Sequence, residues 1–414
     1  MKLASGVNLH VIKETKFKTI RLMVRFREEL SRENIAKRVI ISNLWETTNA
    51  AYPTAQAFSS RLSELYGTSF STAVNKKGSQ HLLSIHMNLV NPKFVDVDTL
   101  AGAVDFMHKA LFSPDNNVEV FQREKTNLIN YLKAMNEDRS YYASRQLAAL
   151  FFTDPKQSLP GVATVELLQA ETAEAVFNYY TEMLNHNLID IFVLGDVEEA
   201  EVVRLFQNFD FKDRQGHSEI FYKQELKDYQ EKIEAKEVQQ SILQMAFAQP
   251  TTYGSKDYMT LQVMNGLFGG FAHSKLFMNV REKASLAYYA SSAFDSFTGL
   301  LRVNAGIDAG NYQQARELIL EQLQAMQSGD FTAQEIEQTK TMLKNSYFMS
   351  LDSSSNLIEQ AFIHEVLPEL YVDEATFLKA LEAVSKEDIM RLAQSLKLQA
   401  QYFMKGEVYA EEEL

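Results

Sequence analysis

One structural plan runs through this chain twice, and that duplication restricts its possible folds more than any other feature. Around Leu65-Tyr66-Gly67 a strand is predicted to run to Asn75, turn at Lys76-Lys77-Gly78 and return as the alternating stretch His81 to Leu89. Leu286-Ala287-Tyr288 opens the same figure again, with a turn from Asp295 to Gly299 and with Leu301, Val303, Ala305 and Ile307 alternating on the return. The offset from Leu65 to Leu286 and from Gly78 to Gly299 is the same, 221 residues. A repeated unit sets the domain count before any element is named.

The segments after the two hairpins also correspond. The pattern predicts a helix (Asp98 to Leu111, then Tyr312 to Met326), followed by a longer one (Val118 to Met135, then Ala333 to Ser350). Each half closes with a helix and an apolar strand: Thr172 to Met183 with Leu188 to Leu194, and Lys386 to Ser395 with Ala400 to Met404. A hydrophilic, charged run from Lys212 to Lys236, with Gly216 inside it, reads as the linker. The expected organisation is therefore a first domain over 1–211, a linker over 212–236 and a second domain over 237–414. Hairpin-joined strands followed by runs of helices point to antiparallel sheets covered on one face by helices, an α+β chain in two similar halves.

Composition excludes several classes of function. With 414 residues, 46% of them hydrophobic, the chain can bury more than one sizeable core. A formal charge of −13 argues against nucleic acid and anionic membrane as partners, since both need clustered Lys and Arg. The absence of cysteine removes disulfides, thiolate nucleophiles and Cys-bound zinc. The start, MKLASGVNLHVIKETKFK, is interrupted by Asn8, His10 and Lys13 and does not read as a secretion signal. No apolar run reaches membrane-spanning length, so a soluble, cytoplasmic protein is expected.

Metal and nucleophile chemistry find little support among the residues. Neither a G-x-S-x-G turn nor a G-x-x-x-x-G-K-[ST] loop occurs. The histidines are His10, His81, His86, His108, His186, His217, His273 and His364, and only His81 and His86 are near neighbours in sequence. Five apart on a predicted strand, they point to opposite faces and cannot share a metal. Gly266-Leu267-Phe268-Gly269-Gly270 lacks the spacing and the Lys of a phosphate loop and reads as a flexible turn before a helix that Ser274 would cap.

Two longer strings point to a family. Phe268 to Tyr288 contains a glycine pair, Ser274-Lys275-Leu276-Phe277, Arg281-Glu282-Lys283 and Leu286-Ala287-Tyr288. It resembles the second-domain signature of the insulinase/pitrilysin-like zinc peptidases, the inverted zincins. Thr164 to Asp196, running into Gly195-Asp196-Val197, resembles the end of that family's first domain. The resemblance implies the duplicated fold shared by insulinase and the mitochondrial processing peptidase.

Active members of this family carry H-x-x-E-H on a first-domain helix, where two imidazoles hold zinc and the Glu acts on a metal-bound water. The corresponding helix here is Ile35 to Thr48, and its nearest local match is Asn43-Leu44-Trp45-Glu46-Thr47. A shifted register places Val39, Ser42 and Asn43 there instead, and no histidine occurs between His10 and His81. The third family ligand, a Glu, falls in Leu128-Ile129-Asn130-Tyr131-Leu132, where no Glu stands. The resemblance thus implies no zinc, no other cofactor and no catalytic residue. It implies a non-catalytic subunit, inactive alone, that forms a heterodimer with a homologous chain bearing H-x-x-E-H and zinc. For the isolated chain a homodimer is one assembly left open. In the family's two-subunit members the partner chain supplies an Arg and a Tyr to the peptide substrate, which here would be Arg281 and Tyr288. The alternative is a scaffold homologue without a role in proteolysis.

Overall fold

The computed structural model describes residues 1–216, 219–370 and 372–407. His217 lies outside the described residues, as does the last stretch of the expected second domain. The chain divides into two compact units. The first comprises Met1–Ala134, Leu159–Ile220 and Ser353–Phe362, and the second Met135–Ser158, Phe221–Asp352 and the chain from Ile363 onward. Each unit thus takes a segment from the other half of the sequence.

The first unit is built on six strands: β1 (Lys2–Ala4), β2 (Val7–Lys13), β3 (Thr19–Glu29), β4 (Ser69–Lys77), β5 (Gln80–Val90) and β6 (Leu188–Gly195). They lie in the order β1-β2-β6-β3-β5-β4. The second unit holds β7 (Gln230–Lys236), β8 (Ser241–Ala248), β9 (Ala287–Asp295), β10 (Leu300–Ile307) and β11 (Lys397–Gly406), in the order β7-β11-β8-β10-β9. Apart from β1, the two orders correspond strand for strand. The two repeated hairpins turn on Gly78 (φ +56°) and Gly299 (φ +71°), a left-handed conformation that glycine adopts without steric cost.

Three expectations need amendment. The sheets are mixed rather than purely antiparallel, because β2–β6 and β7–β11 pair in parallel. In each unit the opening and closing strands are separated by all the intervening helices, a crossover long enough for parallel pairing. The first hairpin strand begins at Ser69 rather than Leu65, because a helix over Ala55–Glu64 precedes it and ends where Tyr66 and Gly67 turn left-handed. The charged run expected as a linker ends in β7, which pairs with β11.

Strand alternation explains the layers of the first unit. Ile20, Leu22, Val24 and Phe26 of β3 face the same way as Leu83, Ile85, Met87 and Leu89 of β5, and all are buried. They meet a helical layer that includes Ile35–Trp45 and Thr99–Phe112. The opposite face is polar. Arg25 donates to Ser84 Oγ (3.0 Å) and pairs with Glu359 (2.8 Å), which also binds Lys77 (2.9 Å), while Phe362 lies 4.2 Å from the guanidinium. The segment Ser353–Phe362 is fastened to this sheet by those contacts. β6 runs between β2 and β3 and is buried on both faces, which accounts for its apolar sequence, interrupted only by Asp190, whose buried carboxylate accepts from Arg27 at 2.6 Å.

In the second unit Leu243, Met245 and Phe247 of β8 join Val303 and Ala305 of β10 in the core beneath the helical layer. Ile242, Ala246, Ala400, Tyr402 and Met404 face the other way, onto Ala143, Leu147 and Phe151 of the helix Arg139–Phe151. Among the described residues no helix is long and apolar enough to cross a membrane.

The helix Ile35–Trp45 is pinned to its sheet by one buried cation. Arg38, 1% exposed, donates to His81 Nδ1 (2.9 Å), Glu28 (3.1 Å), Tyr179 Oη (3.2 Å), Asn187 Oδ1 and the carbonyls of Phe26 (2.9 Å) and His81 (3.1 Å). Because His81 Nδ1 accepts from Arg38, Nε2 carries the ring proton and donates to Gly161 O at 2.8 Å. Burial first, and Arg38 next, push the His81 pKa down to about 3. Burial, then Arg21 and Arg25, take His86 to about 4.

Removing one partner of a buried, hydrogen-bonded charge cluster leaves the others uncompensated, so Arg38→Met should destabilise the protein by about 3–5 kcal/mol in chemical denaturation. A loss below about 1 kcal/mol would show that the cluster does not hold the helix. The histidines set a pH dependence. Unfolded His81 protonates near pH 6.5 and folded His81 only near 3, so within that window the unfolded chain binds more protons and stability falls as the pH drops. Urea midpoints followed from pH 7 to 4.5 should fall less steeply in His81→Gln than in the wild type, and identical slopes would contradict a neutral buried His81.

Candidate functional site

The C-terminal end of the helix Ile35–Trp45 forms one wall of a pocket of about 190 Å³ within the first unit. That wall is Val39, Ser42, Asn43 and Glu46. Thr72, Ala73 and Val74 of β4 form the second, Leu128, Tyr131 and Leu132 of the helix Val118–Glu137 the third, and Val162 closes it. Both helices contribute residues three and four apart, which share a face.

Hydrogen bonds tie the helix to β4 across this pocket. Ser42, buried, donates to Thr72 Oγ1 at 2.8 Å. The Thr72 hydroxyl lies 2.7 Å from Glu46 Oε1 and 3.0 Å from the Ser42 carbonyl. The Thr72 backbone N–H also donates to Glu46 Oε1. Asn43 turns its Nδ2 back to the Val39 carbonyl at 3.3 Å. β4 is the outer strand of its sheet.

This geometry chooses between the two registers considered for a zinc helix. Val39, Ser42 and Asn43 line the pocket together, whereas Thr47 lies past the helix end and does not reach it. The shifted register is therefore the one that would face a metal. Its residues offer an isopropyl group, a hydroxyl already bonded to Thr72 and a carboxamide, and the third wall offers Leu128, Tyr131 and Leu132. Zinc sites of this kind need imidazoles and carboxylates, so the set does not fit the ion. Among the described residues Glu46 is the one carboxylate at the pocket, and one of its oxygens is committed to β4.

Arg281 and Tyr288 both lie in the second unit, each with its own partner. Arg281 lies in the last turn of a wide-wound helix, Leu276–Lys283, after which Ala284 N–H bonds back to Asn279 O (3.2 Å), a π-helical spacing. Leu276 and Val280 of that helix are buried, whereas the Arg281 side chain is 40% exposed, 4.5 Å from the Phe277 ring and 3.6 Å from Glu282. Tyr288 stands exposed on β9, the outer strand of the second sheet, and donates to Asp308 at 3.0 Å. That bond to a carboxylate raises the phenol pKa. The glycine-rich stretch Gly266–Gly270 is helical rather than a flexible turn. A Cβ on Gly269 would stand 2.5 Å from the backbone N of Ser292, so this close approach to β9 admits only glycine. Ser274 Oγ accepts from Phe277 N–H at 3.4 Å, a weak cap.

Thr72 and Val162 are parts of the pocket that the sequence does not disclose. They are far in sequence from the helix they face, and neither belongs to a motif.

Comparison with known proteins places these features in one family. The family model described as "Peptidase M16 inactive domain" matches residues 170–343. The "Probable inactive metalloprotease YmfF" of Bacillus subtilis is 33% identical over 411 residues, covering 97% of this chain and 96% of that protein. The "Uncharacterized zinc protease YmxG" of the same species is 24% identical over 297 residues, 71% of this chain and 72% of that one. The crystal structure of a conserved protein from Enterococcus faecalis V583 superposes with a TM-score of 0.96 at 43% identity over 99% of each chain. With 33% identity over nearly its full length to a probable inactive metalloprotease, a duplicated mixed sheet and a pocket whose donors do not suit zinc, this chain belongs to the peptidase M16 family as one of its inactive members.

Proposed function

We propose that the chain is the proteolytically inactive, peptide-holding subunit of a two-chain cytoplasmic peptidase whose other chain is an M16 homologue carrying H-x-x-E-H and zinc. The observation that carries this reading is a pocket without metal ligands that still lies beside an outer strand. Thr72 N–H points away from β5, so the alternation of an antiparallel strand turns the N–H and C=O of Val74 outward as well. The Thr72 N–H is held by Glu46, whereas outward groups such as those of Val74 can pair with an extended peptide. Such a subunit has no use for a bound metal but needs a surface for the substrate.

Arg281 and Tyr288 are proposed as this chain's contribution at the partner's zinc. A guanidinium and a phenol both donate hydrogen bonds and can hold a carbonyl oxygen as negative charge develops on it. Both are exposed enough to do so. Their present partners, the Phe277 ring and the Asp308 carboxylate, favour a second reading in which the chain is a scaffold and the two residues serve only their own unit.

The two readings separate in reconstituted complexes. Light scattering should show the chain joining a zinc-bearing homologue from the same cell. In intact complexes, Arg281→Ala and Tyr288→Phe should each slow peptide cleavage by about 100-fold with unchanged melting temperature. Full activity in both intact variants would remove these residues from the mechanism. A chain that ignores every zinc-bearing homologue would favour the scaffold.

A further inference from the structure

We infer that the pocket beside β4 receives a cationic side chain, a Lys or Arg of the held peptide, with Glu46 as its counter-charge. This inference rests on the peptide-holding function proposed above and names the substrate feature that the site selects.

The polar groups of the pocket are unevenly spent. Glu46 Oε1 is occupied by the N–H and hydroxyl of Thr72, which fix the carboxylate in place. Its Oε2 makes no hydrogen bond or ion pair among the described residues, and no Lys or Arg lines the pocket. Asn43 spends one of its two amide N–H donors on the Val39 carbonyl, which leaves the other N–H and Oδ1. Tyr131, 58% exposed, adds an aromatic face and a phenol oxygen on the third wall. The one charged group left open is therefore the Glu46 carboxylate oxygen, an acceptor, beside a π-face, and a ligand that matches them is a donor with positive charge.

Shape supports the same ligand. Leu128 and Leu132 provide an apolar wall along which the methylene stem of Lys or Arg can lie, with its charged head at Glu46. The volume, about 190 Å³, has room for one long side chain but not for a folded segment. A net charge of −13 raises the local concentration of cationic peptides before any contact is made. Glutamate and aspartate side chains would meet an unpaired carboxylate and be rejected.

The test is a binding comparison on the full chain. Short fluorescent peptides, extended and Ser-rich, would differ only at a central Lys, Arg, norleucine or Glu, and anisotropy would be measured on the wild type, Glu46→Gln and Tyr131→Leu. The Gln variant can still accept from Thr72 N–H while losing the charge, and both positions are exposed enough that folding should survive, as melting temperatures would confirm. The wild type should bind the Lys and Arg peptides about tenfold more tightly than the norleucine peptide. Glu46→Gln should abolish that preference without weakening norleucine binding, and Tyr131→Leu should reduce it. Equal wild-type affinities for Lys and norleucine, or a preference that survives in Glu46→Gln, would overturn the cation pocket while leaving peptide holding intact. Failure of every peptide to bind, alone or in the complex with a zinc-bearing homologue, would overturn peptide holding and this inference together.

Discussion

The buried guanidinium of Arg38 is the interaction on which the first unit's pocket depends. It joins one helix to β3, β5 and the helix Ala173–His186 through carbonyls, an imidazole, a phenol, a carboxamide and a carboxylate. A charge that is 1% exposed is tolerable only when its donors are satisfied, so the cluster fixes the helix in one position. One turn further on, Val39, Ser42 and Asn43 are thereby held against β4. The neutrality of His81 belongs to the same arrangement, because a protonated ring would face Arg38 without an acceptor on Nδ1.

In active members of the family a metal bridges this helix to its surroundings. Here the bridge is made of hydrogen bonds, with Ser42 and Glu46 both meeting Thr72. Those bonds preserve the architecture without the Lewis acid, so the unit can keep its fold and its outer strand after hydrolysis is lost. Loss of the metal ligands and retention of the outer strand are therefore compatible consequences of one set of substitutions.

Much of this is legible in the sequence, because the signals are periodic or obligatory. The hairpins announce themselves through alternation and through Gly78 and Gly299, both of which take the left-handed turn. The missing metal ligands can be read because no histidine occurs between His10 and His81. Other features have no local signal. The helix Ala55–Glu64 ends on a left-handed Tyr66, a conformation that tyrosine rarely marks, so the sequence there imitates the start of a strand. The helix Arg139–Phe151 buries only a narrow stripe, and its partners Ile242 and Tyr402 lie far along the chain. The role of Glu46 depends on Thr72, which the fold brings to it from 26 residues away. Register within the zinc-like helix is decided only by the pocket, whose walls show which residues share it.

The central claim is that this M16 chain has no metal-dependent hydrolysis of its own, and zinc content measures it most directly. The purified chain would be dialysed against zinc and then against buffer, analysed by mass spectrometry and assayed with peptides in the presence and absence of a chelator. The predicted result is zinc far below one ion per chain and no chelator-sensitive cleavage. One tightly held zinc per chain, with cleavage that the chelator abolishes, would contradict it.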